Sequence, residues 1–125
     1  MKLPETDIEE IMQDPPDMLQ LLQDLLSPRQ LVVLALVVDG KKYREIGELL
    51  GLSTGTCHTY MARAVEKLRY ESIKRAIIFL YPFRDILMKR IKAQDKILLN
   101  RLNEYEKAYG RYRVLRRRTN RTVSS

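Results

Sequence analysis

The chain has 125 residues, with 23 Lys and Arg against 16 Asp and Glu and a formal charge of +7, a size that suits one domain with an appended arm or helix. A single cysteine, Cys57, and a single histidine, His58, leave no disulfide framework, no Cys- or His-type metal site and no histidine-dependent triad. The longest apolar run, Leu31–Val38, is eight residues, far short of the ~20 that span a bilayer. The N-terminus turns acidic directly after Met-Lys-Leu-Pro and does not read as a signal peptide. The expectation is a soluble, cytoplasmic protein that is not an enzyme, needs no cofactor and does not enter a membrane.

Charge is unevenly spread along the chain. Residues 1–26 hold one Lys and seven acids, a net −6, whereas residues 27–125 hold 22 Lys and Arg and nine acids, a net +13. Such a field attracts polyanions, and nucleic acid is the commonest of them inside a cell.

Residues 1–16 carry Pro4, Pro15 and Pro16 among acids and read as an acidic extended arm. Asp17 is placed to cap a helix bearing Met18, Leu19, Leu21, Leu22, Leu25 and Leu26. A second helix opens at Ser27-Pro28-Arg29-Gln30, where Ser, Pro and Gln stand at the positions of a capping box. The run Leu31–Val38 has the composition of a buried strand. The capping box before it and Asp39-Gly40 after it favour a helix.

Tyr43–Leu50 is apolar at 46, 49 and 50 and is closed by Gly51, a residue free to take positive φ. Ser53 is a good N-cap for a helix beginning at Thr54, whose Cys57, Met61, Ala64, Val65 and Leu68 share one stripe. Two short helices joined by a glycine-bearing turn have the form of a helix-turn-helix. In that geometry the second helix offers its polar N-terminal half to the major groove, while the first crosses the backbone. His58, Thr59 and Ala62 are then the candidate base readers. Lys41, Lys42, Tyr43, Arg44, Ser53, Thr54, Thr56 and, at the far end, Arg69 are the candidate phosphate contacts.

Helical character continues from Leu68 to about Leu80, and Tyr81-Pro82 should break or kink it. A long helix is predicted over Phe83–Tyr109. Leu87, Ile91, Gln94, Leu98 and Tyr105 stand near seven-residue spacing there, and Ile86, Ile97 and Leu102 widen the stripe. An exposed apolar stripe of that length needs cover, either by packing within the chain or in a seam between copies; the small domain before it favours the seam, with Leu87, Ile91, Leu98, Leu102 and Tyr105 as its residues. Beyond Gly110 lies a basic tail with Arg111, Arg113, Arg116, Arg117, Arg118 and Arg121 and no acid, a composition suited to phosphate binding. The expected division is an arm over 1–16, a helix-turn-helix DNA-binding domain over 17–70, a helical oligomerisation segment over 71–110 and a tail over 111–125.

Residues 26–69, LSPRQLVVLALVVDGKKYREIGELLGLSTGTCHTYMARAVEKLR, resemble region four of bacterial sigma factors and the related LuxR-type helix-turn-helix domain. The pieces that match are LSPRQ, then the pattern G-x-x-Y-x-E-I-x-x-x-L-G-L-S, then G-T-x-x-T-x-x-x-R-A-x-x-K-L-R, which sits closer to the sigma version. Gly47 stands where the resembled families usually have Ala, Cys57 where they usually have Val, and His58 where Lys is common. The resemblance implies a helix-turn-helix over this stretch; with the long helix read from the pattern of Phe83–Tyr109, the expected fold is all-α, a helix-turn-helix followed by a long C-terminal helix. The resemblance places the recognition helix over Thr54–Arg69, base-facing positions at His58, Thr59 and Ala62, and phosphate contacts at Tyr43, Thr56 and Arg63. It further implies a sequence-specific, DNA-binding transcriptional regulator of bacterial or bacteriophage origin. Double-stranded DNA and a second copy of the chain, as a homo-oligomer and foremost a dimer, are the expected partners, with RNA polymerase a candidate. The alternatives are a DNA-packaging recognition subunit of the phage small-terminase type and a sigma-like protein-binding adaptor.

Overall fold

The computed structural model describes residues 15–108, all of whose regular structure is helical. The acidic arm up to residue 14 and the arginine tail lie outside the described residues. Helix α1 spans Pro15–Leu25, α2 Pro28–Val38, α3 Tyr43–Leu50, α4 Thr54–Lys67 and α5 Ile73–Leu80. A 3-10 turn over Tyr81–Phe83 leads into α6, Arg84–Gln94, and the chain is helical again over 96–108, here α7. No helix among the described residues is long and apolar enough to cross a membrane.

Local chemistry accounts for most helix ends. Helix α1 begins at Pro15, so Asp17 sits in its first turn instead of capping it; the fixed φ of proline suits a first helical position. The capping box of α2 is complete. Ser27 Oγ accepts from the Gln30 N–H at 3.2 Å, and Gln30 Oε1 accepts from the Ser27 N–H at 3.0 Å. At its other end Gly40 takes φ +96°, with the Lys41 N–H donating to the Leu36 carbonyl and the Gly40 N–H to the Val37 carbonyl. That is the left-handed helix stop expected of Asp39-Gly40, and the apolar run is a helix.

Helix α2 is the hub of the core. Leu31, Val33, Leu34, Ala35, Leu36, Val37 and Val38 are all buried, and α1, α3, α4, α5 and α6 each touch it. A helix apolar on all sides has to be covered on all sides. Met18 and Leu22 come from α1, Ile46 from α3, Met61 and Val65 from α4, Leu80 from α5, Leu87 and Ile91 from α6, and Leu98 and Leu102 from α7, all in one cluster.

The C-terminal part departs from expectation at three places. Helix α4 stops at Lys67, because Arg69 takes φ +62° and the Arg69 and Tyr70 N–H groups donate to the carbonyls of Glu66 and Val65. Arg69 therefore stands past the helix and not on it. The long helix over Phe83–Tyr109 is broken at Asp95, which is extended at φ −137°, ψ 102° and whose Oδ1 accepts from the Leu98 N–H at 3.1 Å. Asp95 thus caps α7.

The third departure concerns the seam. Leu87, Ile91, Leu98 and Leu102 are buried within the single chain and Tyr105 is packed against the same core, so the stripe is internal packing and not a contact between copies. The reason is that α2 needed cover on the side that residues 84–102 supply. Residues 71–102 accordingly share the core of the helix-turn-helix. Ile97, expected in the stripe, is 67% exposed; with Ile78 at 58% and Tyr81 at 52% it is one of the large apolar side chains left outside.

Gly47 in α3 is demanded by a close approach. An added Cβ there would run into the backbone carbonyl oxygen of Leu52 in the turn. The Gly47 carbonyl in turn accepts from the N–H groups of Gly51 and Leu52, the latter at 2.9 Å, and Gly51 takes φ +68°.

Two measurements check this packing. Leu87→Ala should lower stability by about 3 kcal/mol, the usual cost of emptying a buried leucine site, with the molecular mass in light scattering unchanged. A fall in mass with helicity and Tm retained would return the stripe to an interface between copies. Gly47→Ala should destabilise by roughly 1–3 kcal/mol, because overlap with a backbone oxygen outweighs the gain in helix propensity; a raised Tm would show that the turn yields.

Candidate nucleic-acid interface

Helices α3 and α4 pack on each other, and Ile46 and Leu49 of the first and Cys57 and Met61 of the second are buried. Their outer faces carry the polar residues. Ser53 is the N-cap of α4, with φ −69° and ψ 155°, and its Oγ accepts from the Thr56 N–H at 3.1 Å. The two hydroxyls of Ser53 and Thr56 are 2.7 Å apart. One donates to the other, so a single hydroxyl hydrogen of the pair remains for an outside acceptor. Thr59 Oγ1 donates to the Gly55 carbonyl at 3.0 Å, which holds its side chain along the helix.

Ser53, Thr54, Gly55, His58, Thr59, Ala62 and Arg63 are exposed, Thr56 and Tyr60 are half-buried, and Cys57, Met61, Ala64 and Val65 face inward. A shallow depression on this surface is lined by Ser53, Gly55, Thr56, Thr59, Tyr60 and Arg63. It sits at a helix N-terminus, where unpaired N–H groups and the helix dipole favour an anion. The structure thus gathers the predicted Ser53, Thr56, Thr59 and Arg63 around one concavity. Tyr60 and Gly55 belong there too. Helical spacing alone could have found Tyr60, which lies four residues after Thr56 and three before Arg63.

The ring of Tyr43, at the start of α3, meets the imidazole of His58 edge-on with centroids 5.2 Å apart. The half-buried Tyr43 hydroxyl is pushed above its ordinary pKa by burial first and by the Cys57 sulfur second. Burial likewise pushes the Cys57 thiol up. A buried, protonated thiol beside an outward-facing imidazole is core packing, since adjacent helical residues point about 100° apart. Lys42 and Arg44 are exposed, and the Lys42 N–H donates to Glu45 Oε1 at 2.9 Å, which closes the open start of α3.

Two predicted phosphate ligands are placed otherwise. Lys41 is turned inward: its Nζ donates to Asp39 Oδ2 at 2.8 Å, lies 5.7 Å from the Tyr105 ring centroid, and its side chain is only 11% exposed. The ammonium is already neutralised by a neighbouring carboxylate and withdrawn from the surface. Arg69 flanks the far end of α4 on a left-handed residue. Arg111, Arg113, Arg116, Arg117, Arg118 and Arg121 lie outside the described residues. Among the described residues no group of three His, Cys, Asp or Glu could hold a metal ion.

Gln30 is a polar residue that pattern reading treated only as a cap. It is buried, and its Oε1 accepts from Lys67 Nζ at 2.9 Å as well as from the Ser27 N–H. The last turn of α4 is thereby tied to the first turn of α2. No local signal in the sequence points to that pairing, which joins residues 37 positions apart.

Comparison with known proteins meets this geometry. Residues 24–80 match the family model described as bacterial regulatory proteins, luxR family. The transcriptional activator protein CarR of Pectobacterium carotovorum subsp. carotovorum is 34% identical over 77 residues, covering 56% of this chain and 32% of that protein. The chain therefore spans about a third of the length of this curated relative. No solved structure matches the chain. The matched stretch opens at the end of α1, closes at the end of α5 and contains the whole of α3, the turn and α4. Residues 24–80, a little under half of the chain, are similar to the luxR family of bacterial regulatory proteins.

Proposed function

We propose that the protein is a sequence-specific, DNA-binding regulator of transcription in a bacterium or a bacteriophage, with α4 as its recognition helix. The observation that carries this reading is the outer face of α4. His58, Thr59 and Ala62 are exposed together there, beside a depression with Arg63 and the paired hydroxyls of Ser53 and Thr56. Small and polar side chains let the helix sit deep in a major groove, while hydroxyls and a guanidinium at its start suit phosphate oxygens. The similarity to an activator named for transcription points the same way.

In this reading His58, Thr59 and Ala62 meet base edges. Lys42, Tyr43, Arg44, Ser53, Thr54, Thr56 and Arg63 meet phosphates, and Arg69 supports them from the flank. Arg111–Arg121 add backbone contacts outside the groove. A homodimer, with RNA polymerase as a further partner, completes the proposal, but the dimer must draw on a surface other than the stripe Leu87–Leu102. The packaging-subunit alternative, which joins a helix-turn-helix to an oligomerising helical segment and a charged tail, calls for that stripe between copies, and the adaptor alternative calls for docking through an acidic arm that lies outside the described residues. Neither gains a specific observation here.

Selection of a duplex from a random pool by the full chain supplies the probe. His58→Ala and Thr59→Ala should change which sequence is enriched, whereas Arg63→Ala should weaken all duplexes alike and lower the salt slope by about one. Equal losses on selected and random duplex for all three would sink the assignment of base readers. Deleting residues 111–125 should weaken selected and random duplex by similar factors and flatten the salt dependence. An unchanged slope would leave the tail a solvated end.

A further inference from the structure

Helix α7 begins sixteen residues after the luxR-family match ends, yet it is fastened to the first helix of the helix-turn-helix at both ends. At the C-terminal end of α3, Arg101 Nη1 donates to the Leu49 carbonyl at 3.0 Å. That carbonyl belongs to the last turn, whose acceptors have no partner within the helix, and a guanidinium there also meets the negative end of the helix dipole. Just before α3, Lys41 Nζ lies over the Tyr105 ring while it is bonded to Asp39. Arg101 and Tyr105 are four residues apart, so one face of α7 reaches both ends of α3.

The anchoring of α7 is built to hold. Leu98 and Leu102 on the same side are buried in the core, Asp95 caps its start, and Lys92 of α6 is 3.5 Å from Glu106. The contacts fall where they matter for the turn. Leu49 lies two residues before Gly51, whose left-handed conformation starts the turn, and two residues after Gly47, whose carbonyl holds the turn. Any shift of the end of α3 is passed to the turn and so to the angle at which α4 is offered.

We infer that α7 is an added clamp on the helix-turn-helix and that Arg101 and Tyr105 are positioning residues for DNA binding. This rests on the DNA-binding reading of α4. The clamp raises the share of molecules whose turn and recognition helix are already in binding geometry, and apparent affinity scales with that share. Arg101 acts through the Leu49 carbonyl and Tyr105 through Lys41; neither is assigned a phosphate.

The test uses the full chain with Arg101→Met, which keeps the aliphatic stem, Arg101→Lys, which keeps the charge and a donor, and Tyr105→Leu. In the free protein, Arg101→Met should speed amide exchange at Gly51 and Leu52 roughly tenfold, the scale of losing one charge-assisted hydrogen bond. Amides of α2 should stay as in wild type. Affinity for the duplex enriched by the wild-type chain should fall by a similar factor with an unchanged salt slope. Tyr105→Leu should act in the same direction, and Arg101→Lys should restore most of both losses. Unchanged exchange at Gly51 and Leu52 overturns the clamp. Equal loss on random duplex with a slope lower by about one overturns positioning, because Arg101 would then be a phosphate ligand. If the wild-type chain enriches no duplex, the DNA reading fails, and the exchange measurement then decides the clamp on its own.

Discussion

One helix sets the terms for the rest of the molecule. The residues from Leu31 to Val38 carry no side chain that water can satisfy, and seven of the eight are buried. A lone helix of eleven residues is marginal in water even with good caps; α2 persists because five other helices touch it. Its burial is the largest single reason for the fold, since each apolar side chain withdrawn from water contributes roughly 1.5–3 kcal/mol before entropy is set against it. The helix-turn-helix covers one part of that surface. What covers the remainder is the segment after Pro82, which is why α6 and α7 are drawn inward.

The polar framework is laid over this core at the helix ends. Gln30 closes the capping box of α2 and receives Lys67 from the end of α4, so α4 is fixed at the end remote from its exposed N-terminal half. At the near end, Ser53 caps α4 and the Gly47 carbonyl holds the turn. A buried amide oxygen with two donors is a satisfied polar group, and satisfied groups of this kind make a packing arrangement unique. Helix α4 is thus held at both ends by directional bonds and along its inner face by Cys57, Met61, Ala64 and Val65.

Cations divide in the same spatial sense. Lys41 and Lys92 are engaged by Asp39 and Glu106 on the side where α7 lies. Lys42, Arg44 and Arg63, around α3 and α4, form no ion pair among the described residues. Unpaired cations beside a helix N-terminus keep their full attraction for an anion.

The capping box at Ser27 and Gln30, the stop at Gly40, the turn at Gly51, the N-cap at Ser53 and the inward stripe of α4 were all legible in the sequence. Each depends on residues within four positions of one another, where hydrogen-bond geometry and the 3.6-residue period leave few choices. The exposed set His58, Thr59, Ala62 and Arg63 followed from the same period. The left-handed stop at Arg69 was not legible, because no glycine marks it and tertiary packing carries the strain of a non-glycine residue there. The break at Asp95 had a signal, an aspartate able to cap, but the near-heptad spacing around it spoke for continuity. The spacing of Leu87, Ile91, Leu98 and Leu102 showed that a face had to be buried without saying against what, and the uncovered side of α2 decided that. The inward turn of Lys41 and the bonds from Arg101 to Leu49 and from Lys67 to Gln30 join parts of the chain only after the helices have packed. Periodicity and capping act over a few residues, and such pairings exist only once the core has brought distant elements together.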